Sequence, residues 1–102
     1  MEYTFNGSLA QIVGTDAASI FEYINYFVCF SKRNNKNMWD GKYWMLGNTQ
    51  SINAMFGHLS EQQVNVSVAT LIGMNIVVSY KDNEGHNWFA IGENGERFCH
   101  AV

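Results

Sequence analysis

The side chains in this sequence best equipped to bind a metal or pass a proton are His58, His86, Cys99 and His100, with Cys29 the other thiol. Cys99-His100 offers two neighbouring zinc-type donors. A structural zinc takes four, in two spaced pairs, and no second pair accompanies this one. A Cys–His nucleophile would need Cys99 and His86 to meet on neighbouring strands. No HExxH, GxSxG, phosphate loop or paired carboxylates stand with them. The glycines of GENGE follow no strand-to-helix junction. Cys29 lies in the apolar run FVCF and reads as a buried thiol. The expectation is a protein that is not an enzyme and uses neither metal nor cofactor.

A second set of residues suits recognition. In SEQQVNVSVATLIG, Gln62, Gln63 and Asn65 carry amides that can pair with an adenine edge, and Val66 and Ala69 offer apolar contact to a thymine methyl or to a protein. Glu61 stands among them, and the stretch holds no lysine or arginine. Four of the six basic residues, Lys32, Arg33, Lys36 and Lys42, fall between residues 32 and 42, interleaved with Asn34, Asn35 and Asn37. Such a cluster can grip phosphates. It can equally be an ordinary polar loop. Trp39, Tyr43 and Trp44 beside it read as strand residues packing on the core rather than as stacking platforms.

These residues need a frame, and the local signals supply one. Residues 8–14 predict a short helix with Leu9 and Ile12 inward and Gly14 as its stop. A long helix follows, capped by Thr15 or Asp16, with Ile20, Phe21, Ile24, Phe27 and Val28 at helical spacing. MWDGKYWML predicts a hairpin on Asp40-Gly41, because both turn positions need positive φ. Asn48 or Thr49 opens a third helix that turns Ile52, Met55 and Phe56 inward and ends at Gly57. Ser60 opens a fourth with Gln63 in a capping box, a Val64–Val68–Leu71 stripe and Gly73 as its stop. NIVVSY and HNWFAI form a second hairpin across KDNEG. The tail either adds a strand or packs back through Phe98. The order predicts an α+β fold, a single winged helix-turn-helix domain over residues 1–102 with two small hairpins.

The order, with its Ile-, Tyr- and Phe-rich helix, basic loop, DGKYW, S-x-x-x-V-x-x-x-V-x-x-L-x-x-x-x-I-V and Trp88-Phe89, resembles the N-terminal winged-helix domain of phage replication initiators (replisome organisers). The likeness runs from about Asp16 to Ile91. It implies duplex DNA as ligand, read by helix 60–72 in the major groove. In that family the exposed side of this helix carries threonine, lysine and arginine, with a basic residue where Val66 stands here.

Charge points the other way. A net charge of −3 is unlike a domain that coats nucleic acid. Two functions therefore stand. One is a phage- or mobile-element-type DNA-binding protein, gripping phosphate through Lys32, Arg33, Lys36 and Lys42 and acting as a homodimer. The other is a small acidic phage protein that blocks a host nucleic-acid-binding enzyme through the same helix, as anti-CRISPR inhibitors do. With 47% hydrophobic residues there is material for one core. No apolar run is long enough for a membrane and the N-terminus has no leader pattern, so the expected location is the host cytoplasm.

Overall fold

The computed structural model describes residues 6–99. His100 lies outside them. Helix α1 (Gly7–Val13) starts where Leu9 N donates to Asn6 Oδ1 at 3.1 Å, and stops at Gly14, whose φ of 90° suits a residue without Cβ. Leu9 is fully buried and Val13 packs beside the core one turn on, so the inward stripe is Leu9–Val13. Ile12, expected inward, falls off that stripe and is 45% exposed.

Gly14 also begins helix α2 (Thr15–Arg33), so the chain reverses on one residue and neither Thr15 nor Asp16 makes the expected cap. Ile20, Phe21 and Ile24 are fully buried on α2, with Phe27 and Val28 at the core margin. Lys32 and Arg33 occupy the last turn, where cations complement the helix dipole.

Strands β1 (Met38–Trp39) and β2 (Lys42–Tyr43) form the expected tight hairpin, with φ of 52° at Asp40 and 71° at Gly41. The chain then departs from expectation. Ser31 Oγ donates to Trp44 O at 2.7 Å and Trp44 N to Asn37 O at 2.9 Å, which pins Trp44 to the end of α2. Beyond it Met45–Leu46 leave the hairpin as strand β3 of another sheet.

Helix α3 (Thr49–Met55) is capped by Asn48, whose Oδ1 accepts from Ser51 N at 2.8 Å. Ile52 and Phe56 share its buried face; Met55, expected inward, lies beside that face and is 48% exposed. Phe56 ends the helix at φ −112°, so Gly57 is not its stop. Helix α4 (Glu61–Gly73) carries the expected capping box: Gln63 N donates to Ser60 Oγ at 3.1 Å, and Ser60 N to Gln63 Oε1 at 2.7 Å. Gly73 is the last helical residue rather than the stop. Asn75 takes the left-handed position at φ 55°, a conformation asparagine tolerates.

Strands β4 (Val77–Lys81) and β5 (Asn87–Ile91) pair as the second hairpin, and β3 joins β5 on its other side. The two expected hairpins are therefore a two-stranded ribbon and a three-stranded antiparallel sheet in the order β3-β5-β4. Among the described residues the tail adds no strand: a 3-10 helix (Glu93–Phe98) returns Phe98 to the core. Val64, Val68 and Leu71 meet Ile20, Phe21, Ile24, Met45, Val77 and Phe89 in one cluster with α2 at its centre. The described residues thus form an α+β arrangement of five helices and two small sheets. No helix among them is long and apolar enough to cross a membrane.

Candidate functional site

Burial of Val64, Val68 and Leu71 turns the opposite side of α4 to solvent. Gln62, Gln63, Asn65, Val66 and Ala69 are all exposed there, Val66 at 59%. Gln63 is partly committed, because its Oε1 serves the capping box. Gln62 and Asn65 keep both ends of their amides available. Asp16, Ser60, Gln62, Gln63, Val66 and Ser67 line one shallow cleft of about 260 Å³ where α4 meets the start of α2. Asp16 lines this cleft and Glu61 stands in the first turn of α4, both acidic.

The basic cluster lies elsewhere. Lys32 and Arg33 are on the same continuous helix as Asp16 but about 24 Å further along its axis, at 1.5 Å per residue. Lys36 folds back over the Phe30 ring with Nζ 5.0 Å from its centre. Lys42 Nζ donates to Ile91 O at 3.0 Å and is half-buried. Lys36 and Lys42 are therefore engaged within the chain, and the cluster and the cleft occupy opposite ends of α2.

Trp39 and Trp44 pack, but against Tyr80 and Trp88 in a cluster apart from the main core rather than on the core that was expected. Trp39 and Trp44 stack with ring centres 5.3 Å apart and planes 4° from parallel, and Trp39 meets Trp88 edge-on at 4.9 Å. Tyr80 closes the group at 6.1 Å from Trp39 and 6.2 Å from Trp44. This cluster clamps the hairpin onto the outer face of the sheet.

The thiols and imidazoles do not converge on one centre. Cys29 is half-buried rather than buried, and its Sγ lies 3.8 Å from Asn25 Oδ1. Burial, with Cys29, Glu96 and Glu22 nearby, pushes the Cys99 thiol up to about 11, far from a reactive thiolate. His86 instead faces Asp82, with Nδ1 3.2 Å from Oδ2. The Cys99–His86 meeting that a Cys–His nucleophile would need is not made: His86 faces Asp82, and the tail turns into a 3-10 helix. Among the described residues no group of three or more metal-type donors is assembled.

One organising residue escaped the sequence reading. Asp82 accepts from Glu84 N at 2.9 Å, His86 N at 2.8 Å and Trp88 Nε1 at 3.0 Å, so the whole β4–β5 turn is folded around its carboxylate. The Trp88 bond is the largest influence, and with the two backbone amides it lowers the carboxyl to about 2. The available signal was an aspartate opening a turn ahead of a glycine, a common way to bond the backbone two residues on.

Comparison with protein-family models, with curated proteins and with solved structures finds no match in any of the three.

Proposed function

We propose that the chain is a winged helix-turn-helix domain that docks through α4 on the basic surface of a nucleic-acid-binding protein. The frame of the reading is the succession α2, β3, α3, turn, α4, β4, β5, with sheet order β3-β5-β4 and the β4–β5 turn as the wing. The observation that carries it is the charge around α4. A helix lying in the major groove draws most of its affinity from phosphate contacts. Here the flanking charges are Asp16 and Glu61, and the basic cluster stands at the far end of α2. Acidic flanks around Gln62, Asn65, Val66 and Ala69 suit a partner surface that itself carries lysine and arginine. An inhibitor of a host nucleic-acid-binding enzyme, of anti-CRISPR type, has this chemistry.

Duplex binding is the second reading, of the kind a replication initiator would perform. It is favoured by the short turn between α3 and α4 and by the free amides of Gln62 and Asn65. Titration with random duplex DNA at low salt decides between them. The first reading expects no binding by the parent chain, and a photo-cross-linker at position 69 that captures a basic, nucleic-acid-binding protein. Val66→Lys should weaken that capture, since it buries a lysine against an already basic partner. Duplex binding by the parent, tightened by Val66→Lys through an added phosphate contact, would reverse the choice.

A further inference from the structure

The hydrogen-bond phase of the β4–β5 ladder leaves one side of β4 unspent. Asp82 N donates to His86 O, and Gly92 N to Ile76 O, each at 2.9 Å. Those two bonded pairs bracket the register, so the bonded pairs between them are Val78 with Ala90 and Tyr80 with Trp88. The backbone groups of Val77, Ser79 and Lys81 therefore point away from β5. Val77 is fully buried, whereas Ser79 and Lys81 are exposed. No other described strand pairs with β4. The far side of β5 is used by contrast: Asn87 O accepts from Gly47 N and Ile91 O from Lys42 Nζ, both at 3.0 Å.

Proteins usually blunt such an edge with proline, a bulge or several charges. This chain has no proline, β4 runs through five consecutive pairs without a bulge, and Lys81 is its one charged residue. We propose that β4 pairs antiparallel with β4 of a second copy, about a twofold axis at Tyr80. Ser79 then faces Lys81 of the second copy, and Lys81 faces its Ser79. Each pair exchanges two N–H···O bonds, four in all. Tyr80 faces its own equivalent in the wide, non-bonded position, where side chains approach most closely.

The segment is self-complementary, which selects a second copy over an unrelated strand. The two exposed residues of this edge, Ser79 and Lys81, flank Tyr80 symmetrically, and this register sets no lysine opposite a lysine. An axis at Ser79 would instead pair Lys81 with the buried Val77. On the outer face Leu46, Trp88 and Tyr80 already stand in one cross-strand row, with Leu46 56% and Tyr80 46% exposed. The axis at Tyr80 continues that row into the second copy. Four bonds and one aromatic pair make a small interface, so the dimer is weak and concentration-dependent. The inference does not depend on what α4 binds.

Sedimentation equilibrium across a wide concentration range tests it, with melting curves as the check on folding. The parent should show a monomer–dimer equilibrium. Ser79→Pro removes two symmetry-related donors while leaving the β4–β5 ladder intact, and should weaken the dimer about tenfold or more. Ser79→Lys places like charges opposite each other and should also weaken it. Ser79→Glu places an opposite charge there and should tighten it, less so at high salt. The charge pair decides even if the proline variant fails to fold. A parent that stays monomeric throughout, or a dimer indifferent to the charge at position 79, overturns the proposal.

Discussion

Asp82 shows how one side chain organises a loop. Its carboxylate binds two backbone amides and the Trp88 indole, and those bonds favour the charged form. Its folded pKa of about 2 lies below the ordinary 3.8, so its contribution to stability is complete above pH 3.8 and fades as pH falls through about 2. Denaturant titrations between pH 6 and pH 2 should show parent stability falling over that last interval. Asp82→Asn should be less stable at pH 6 and should flatten the decline, and an unchanged pH profile would remove Asp82 from that role. Cys99 behaves oppositely: the residue as a whole is exposed, but its Sγ is turned in toward Gly95 O at 3.6 Å, and this sheltering raises the thiol pKa and should leave it slow to alkylate at neutral pH.

At the scale of elements, the closure of the β4–β5 hairpin by the 3-10 helix depends on two glycines. A Cβ at Gly92 would stand 2.3 Å from Asn75 O, and one at Gly95 2.1 Å from Ile76 O. Both obstacles are backbone, so the chain must shift to admit them. Gly95→Ala should therefore cost about 1–3 kcal/mol in thermal or chemical melts. Gly73 is the contrasting case, helical and open to solvent on its Cβ side. Gly73→Ala should stabilise by about 0.5–1 kcal/mol. Similar shifts for the two variants would contradict the packing described. Val68→Asp probes the contact between α4 and α2. It sets an unpaired carboxylate in the core and should abolish cooperative unfolding, and a variant that melts like its parent would separate α4 from that core.

At the scale of the molecule, the decisive quantity is the separation of charges. The cations near Lys32 and the acids near Asp16 stand about 24 Å apart along α2, more than twice the Debye length of about 10 Å at moderate salt. The two regions are therefore electrically independent. Changing Lys32, Arg33 and Lys36 together to alanine should leave any protein partner of α4 bound with unchanged affinity. The same change would weaken duplex binding and flatten its salt dependence if the cluster did grip phosphate. Measuring both affinities at two salt concentrations reads the two outcomes separately.

Much of this was legible locally. The period of Ile20, Phe21 and Ile24, the Ser60–Gln63 capping box, the Asp40-Gly41 turn and the stripe on α4 each depend on residues within about one or two helical turns, and sequence alone determines them. The exposed side of α4 follows from the same spacing. The misplaced details were at element ends. Gly14 serves two helices at once, Phe56 ends α3 ahead of Gly57, and Asn75 takes the position expected of Gly73. What only the tertiary structure decided involves residues far apart in the chain. Met45–Leu46 leave one hairpin for another sheet because Trp44 is pinned to α2. The tail becomes a 3-10 helix against Asn75 and Ile76, which takes Cys99 away from His86. The cations and the α4 cleft end up at opposite ends of one helix. Spacing along a chain encodes which face a residue takes, but the distance between two faces is set only when the elements pack.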